Sequence, residues 1–106
     1  MEKLESQQTI MGIILHGGNA RSCVMRSITE AKNGNFIKAD KLMAEATEEL
    51  SKAHIMQTEL IQSEARGEST EISLLLIHAQ DHLMNSITVK ELSEEIIHLT
   101  KKTIHL

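Results

Sequence analysis

The chain has 106 residues, with 11 Lys+Arg against 15 Asp+Glu and a formal net charge of -4. That length fits a single domain over residues 1–106, and an apolar share of 41% suits a core and not a disordered tail. One aromatic residue (Phe36) and an acidic balance leave neither base-stacking platforms nor a basic footprint, which argues against nucleic-acid binding.

With no proline, and with Leu, Ile, Ala, Met, Glu and Lys dominating, the composition points to an all-α protein. The longest apolar run, Ile10 to Leu15, is far short of the roughly 20 residues that span a bilayer. Met1-Glu2-Lys3-Leu4-Glu5 has no basic start, apolar run or cleavage site, so no signal peptide is expected and the cytoplasm is the expected compartment. A lone Cys23 excludes an internal disulfide and a Cys-based zinc knuckle.

Two Gly-centred polar breaks, Lys32-Asn33-Gly34-Asn35 and Arg66-Gly67-Glu68-Ser69-Thr70, divide the chain into three helical segments of about 30 residues, each about 45 Å long. Short connections between long helices predict an antiparallel up-down-up three-helix bundle. In the first segment Gly17 and Gly18 interrupt a helix at a cost of about 1 kcal/mol each relative to Ala. Such a cost points to close backbone approach, in packing or where a partner docks. The Gly-Lys-Ser/Thr ending of a phosphate loop is absent. Cys23 shares helical spacing with Ala20, Val24 and Ile28 and reads as a core filler. Arg21 is open to a phosphate contact or a surface ion pair, and His16, His98 and His105 have no constellation around them.

The second segment carries a stripe of Ala39, Met43, Ala46, Leu50, Ala53, Gln57 and Leu60, alternating steps of four and three, as a packed seam does. His54 and Gln57 near that seam either line a site or are satisfied buried polar groups. For the third segment Thr70 is the expected cap, with Glu71 near the positive end.

The third segment has two apolar faces. Ile72, Leu76, Ala79, Leu83 and Ile87 form one; Val89, Leu92 and Ile96 form another, a third to half a turn away. A three-helix monomer needs one stripe per helix, so the second face is either a surplus for self-association or the mark of an unusually apolar helix. His78, Asp81, His82 and Asn85 project onto the side of that second face, and the first three are neighbours at i, i+3 and i+4. A neutral imidazole at His78 or His82 could be a nucleophile, a base or a metal ligand. The metalloprotease pattern needs Glu after the first His, where Ala79 stands, and no third strong ligand is evident. Copies of Asp81 gathered about one axis would have to share protons or bind a hard cation such as Mg²⁺; in a monomer Asp81 is a solvated acid beside a histidine.

His78-Ala79-Gln80-Asp81-His82-Leu83-Met84, preceded by Leu74-Leu75-Leu76-Ile77, resembles the active-site helix of one phosphotransferase family. That family is the lactose/cellobiose-type enzyme IIA component of the phosphoenolpyruvate-dependent sugar phosphotransferase system. Gly17-Gly18-Asn19-Ala20-Arg21-Ser22 resembles its first helix, and Ala53 to Gln62 with Glu64-Ala65 the end of its second.

The resemblance implies a homotrimer of three-helix protomers in which His78 is the phosphorylated nucleophile. The phosphoryl group would come from the histidine-containing phosphocarrier protein and pass to a cysteine of the cognate enzyme IIB. It would end on a β-linked disaccharide of the cellobiose/lactose class entering through membrane enzyme IIC, with cellobiose or a related β-glucoside favoured over lactose. The family's trimer-axis metal ligand falls on Asp81, three copies sharing one divalent ion, usually Mg²⁺, with no organic cofactor. His82, one turn along, is expected to support His78 by donating a hydrogen bond to the phosphoryl oxygens. Two rivals stand beside this reading. A non-catalytic, metal-stabilised trimeric scaffold or adaptor would not need a nucleophilic His78, and a hydrolase using the His/Asp group would turn over without protein partners.

Overall fold

A computed structural model describes residues 3–104, with the Leu4 side chain left aside; His105 lies outside the described residues. It contains three helices, α1 (Lys3–Lys32), α2 (Phe36–Ala65) and α3 (Leu74–Ile104), and no strand among the described residues. Contacts fix their directions. Gly12 faces Met56 and Ser27 faces Ala39, so α1 and α2 run antiparallel. Gly17 meets Ser86 and Ala31 clusters with Ile97, so α3 runs parallel to α1. The expected up-down-up order is therefore observed, in a rod of 56 × 20 × 17 Å.

Both breaks are helix stops of the same kind. Gly34 and Gly67 adopt φ of 80° and 86°, a region that an L side chain rarely enters. In the first, the Asn35 amide donates to the Glu30 carbonyl at 2.9 Å and the Gly34 amide to Ala31 at 3.0 Å. In the second, Glu68 donates to Ser63 and Gly67 to Glu64, each at 3.0 Å. These paired bonds satisfy carbonyls that a helix end leaves open.

The start of α3 differs from the sequence expectation. Ser73, not Thr70, is the cap: its Oγ accepts the Leu76 amide at 3.1 Å while its carbonyl accepts the Ile77 amide at 3.0 Å. Residues 68–73 take no regular secondary structure, and Glu71 lies beside Lys3, 3.9 Å away, instead of at the helix end. The Thr70 hydroxyl is buried without a hydrogen-bond partner.

The core alternates alanines with larger aliphatic side chains. Ile10, Ile13, Ala20 and Val24 of α1 meet Ala46, Leu50, Ala53 and Leu60 of α2 and Ala79 and Leu83 of α3. Alanines at the crossings let the axes approach, and buried serines tie them together. Ser27 Oγ donates to the Ala39 carbonyl at 2.6 Å, joining α1 to α2. Five of the seven α2 stripe residues are buried as their spacing predicts, Met43 and Gln57 being half-buried, and Cys23 packs against the core as a filler.

On α3 one face is buried, through Ala79, Leu83, Ser86, Ser93 and Ile97. Leu92 and Ile96 of the second face stay 60% and 45% exposed, with Leu99 at 60%. Two assignments shift. Val89 packs against the core, because three residues beyond Ser86 it is turned only about 60° from the buried face. Ile72 is 80% exposed because it precedes the helix.

Candidate functional site

With α3 starting at Leu74, residues 78, 81 and 82 fall on its second and third turns. His78, Asp81 and Asn85 are exposed and His82 is half-buried. The two imidazoles lie side by side, with ring centroids 5.8 Å apart and planes within 14°. Asp81 has no ion-pair or hydrogen-bond partner among the described residues. The i, i+3, i+4 spacing therefore produces the juxtaposition it implies, with two parallel rings and a free carboxylate next to them.

His82 is held from below. Its ring lies over Gly17 and Gly18 of α1, so close that a Cβ on Gly17 would sit 3.3 Å from His82 Cδ2. Ser86, one turn on, has its hydroxyl 2.8 Å from the His82 carbonyl and 3.1 Å from the Gly17 carbonyl. Of the two meanings left open for the glycines, the structure displays close packing against α3.

Other candidates are sorted by the fold. Gln57 is half-buried and donates to Gln80 Oε1 at 2.6 Å, which makes it a satisfied polar group between α2 and α3. His54 is exposed: one residue past the buried Ala53, it is turned about 100° away from the core, so it is not a satisfied buried polar group. Arg21 is exposed with no ion pair among the described residues, contrary to the surface pairing considered for it. Burial and the nearby Glu45 carboxylate push the Cys23 thiol pKa up, away from nucleophilic reactivity.

One pair escaped the sequence reading. His16 Nδ1 is 2.5 Å from Glu49 Oε2, across α1 and α2. The His16 hydrogen bond holds the Glu49 carboxyl below its ordinary value against the opposing push of burial; His16 and Lys52, the latter 3.7 Å away, add charge. Local spacing cannot reveal two residues 33 positions apart. Folding the chain back at Asn33-Gly34 would have set them opposite each other.

No group of three or more His, Cys, Asp or Glu side chains able to hold a metal occurs within the protomer among the described residues. A hard divalent cation takes six or more oxygen ligands. Asp81 alone offers one carboxylate, exposed and unpaired, so it suits such an ion only where several copies converge. Likewise, among the described residues no helix is long and apolar enough to cross a membrane.

Comparisons with known proteins converge on one group. The family model for the PTS system, lactose/cellobiose specific IIA subunit, matches residues 8–101. The lichenan-specific phosphotransferase enzyme IIA component of Bacillus subtilis (strain 168) is 58% identical over 98 residues, 92% of this chain and 89% of that protein. The crystal structure of the PTS cellobiose-specific enzyme IIA from Bacillus anthracis superposes with a TM-score of 0.93 at 55% identity, covering 99% of this chain and 94% of that one. The IIA(chitobiose)–HPr complex of the N,N'-diacetylchitobiose branch of the Escherichia coli phosphotransferase system gives 0.81 at 39% identity, covering 97% and 98%.

Proposed function

The chain belongs to the lactose/cellobiose-specific IIA family of the sugar phosphotransferase system, and we propose that His78 is the residue on which it carries the phosphoryl group. As a cellobiose-type enzyme IIA it is a phosphocarrier, a phosphotransferase component that works through a phosphohistidine. The observation supporting His78 is its exposure on α3 beside the parallel ring of His82, open to protein partners on one side and backed by a fixed imidazole on the other.

The relay runs in two balanced steps. An unprotonated ring nitrogen of His78 attacks the phosphorus on the phosphohistidine of the histidine-containing phosphocarrier protein (HPr); a new P–N bond forms as the old one breaks, and the donor imidazole leaves. A cysteine thiolate of the cognate enzyme IIB then attacks the same phosphorus, a P–S bond forms, and His78 is restored. HPr as donor agrees with the HPr complex solved for the chitobiose relative. Phosphoryl transfer of this kind depends on positioning and charge stabilisation, so few side chains suffice. His82 supplies a hydrogen bond to the phosphoryl oxygens from a ring already held in place.

The assembly is a homotrimer formed through the outward face of α3, where Leu92, Ile96 and Leu99 remain exposed. Three copies of Asp81 at its axis hold one divalent cation, Mg²⁺ by the chemistry of oxygen ligands. The ion neutralises carboxylates that would otherwise repel, and takes no part in the transfer. A β-linked disaccharide or β-glucoside is the expected sugar, in keeping with the lichenan and cellobiose specificities named for relatives.

Intact mass tests the assignment. The protein is incubated with phosphoenolpyruvate, enzyme I and HPr, with His78→Ala in parallel. One acid-labile phosphoryl group on the wild type alone is the expected result. An unmodified wild type beside a working control acceptor would overturn the assignment and favour the scaffold.

A further inference from the structure

Gly17 and Gly18 lie in the middle of α1 with ordinary helical backbone, since the positive-φ glycines among the described residues are Gly34 and Gly67. Conformation does not account for them; space does. A Cβ on Gly17 would stand 3.3 Å from His82 Cδ2 and 3.8 Å from both His82 Nε2 and Ser86 Oγ. One on Gly18 would stand 3.4 Å from His82 Nε2. The Cδ2–Nε2 edge of a single imidazole thus rests across both residues, whereas Gly34 and Gly67 have nothing within 4 Å.

Ser86 fixes the register of this contact. Its buried hydroxyl shares its one proton between the His82 carbonyl at 2.8 Å and the Gly17 carbonyl at 3.1 Å. The helix turn that bears His82 is therefore fastened to the glycine that seats its ring. That ring in turn parallels His78, 5.8 Å between centroids.

We infer that Gly17 and Gly18 are positioning residues for phosphoryl transfer, forming a side-chain-free seat on α1 that fixes the His82 imidazole beside His78. The inference rests on His78 being the phosphorylated residue. A methyl group on Gly17 would force the ring to give by a few tenths of an ångström. Small misplacements near a reacting centre slow transfer strongly. At the same time Ala favours a helix interior over Gly. Stability and transfer rate should therefore move in opposite directions, which mere packing damage would not produce.

The test compares wild type, Gly17→Ala, Gly18→Val, His82→Ala and the Gly17→Ala/His82→Ala double variant, with phosphorylated HPr as donor. Gly17→Ala should melt no lower than wild type and still accept one phosphoryl group at completion. Its kcat should fall about tenfold with KM little changed, and the imidazole ¹⁵N resonances of His82 should shift. In the His82→Ala background the same substitution should cost nothing further, as a double-mutant cycle requires of a residue acting through another. Equal losses in both backgrounds, or a wild-type rate with unmoved His82 resonances, would overturn the inference and leave the phosphorylation of His78 standing. A wild type that takes no phosphoryl group would overturn both. Should Gly17→Ala fail to fold, Gly18→Val carries the same cycle, because its γ methyls extend from a Cβ that already touches His82 Nε2 at 3.4 Å.

Discussion

His16 Nδ1 lies 2.5 Å from Glu49 Oε2, a clasp between α1 and α2 made by two half-buried side chains. The hydrogen bond from His16 lowers the Glu49 pKa from its ordinary 4.5, with burial opposing. A depressed carboxyl pKa stabilises the folded state fully above the unfolded value and loses that effect as pH falls through the lower folded value. Glu49→Gln should therefore cost about 0.5–1 kcal/mol at pH 7, and the difference from wild type should begin to shrink below the unfolded value of 4.5 and close as pH falls through the lower folded value. Urea midpoints of both proteins across that range check this; a gap that stays constant down to pH 3 would contradict it.

The two hydroxyls before α3 have opposite standing. Ser73 accepts the Leu76 amide at 3.1 Å, and removing such a cap costs about 1 kcal/mol. Thr70 buries its hydroxyl with no partner, an arrangement that costs free energy. Ser73→Ala should lower the melting temperature, while Thr70→Val, of the same shape, should hold it or raise stability by up to about 1 kcal/mol. Calorimetry on the two variants separates them: a drop for Thr70→Val equal to that of Ser73→Ala would return the cap to Thr70.

What could be read from the sequence was what depends on near neighbours. Gly34 and Gly67 marked the helix stops because a left-handed residue after a helix favours glycine, and the Ala39 to Leu60 stripe marked a buried face because helical period alone fixes it. His78, Asp81 and His82 were brought together by the same local geometry. The contacts that hold His82 were not legible, because they join α3 to α1 across a separation of 69 residues in the case of Ser86 and Gly17. The glycine pair signalled a close approach without naming what approached. Thr70 misled for a different reason: a capping residue type gives no register when Ser69, Thr70 and Ser73 all stand within one loop, and only the backbone path selects among them.

His82→Ala isolates the supporting role of the second imidazole. The ring parallels His78 and is half-buried against α1, so its loss would remove the proposed donor without touching the proposed nucleophile. Removing one preorganised donor to a developing charge typically costs about a hundredfold in rate. The variant should therefore still reach one phosphoryl group per chain, with the time course of transfer from HPr slowed by about that factor. A variant that never becomes phosphorylated would make His82 indispensable and end the supporting assignment.

Asp81 sits exposed and without a partner on the outward side of α3, in line with the apolar Leu92, Ile96 and Leu99. Within one protomer that carboxylate is harmless; brought to an axis with its copies it repels them unless a cation intervenes. Chelation and charge removal should thus be non-additive. EDTA should shift wild-type sedimentation from trimer towards monomer, and added Mg²⁺ should restore it. Asp81→Leu should sediment as a trimer in either condition, because it carries no charge to neutralise and adds apolar surface to the face. Transfer to His78 should persist in that variant if the proposed ion serves assembly alone. A wild-type trimer indifferent to EDTA would remove the cation from the axis, and an Asp81→Leu protein that is monomeric throughout would move the self-association face elsewhere on the bundle.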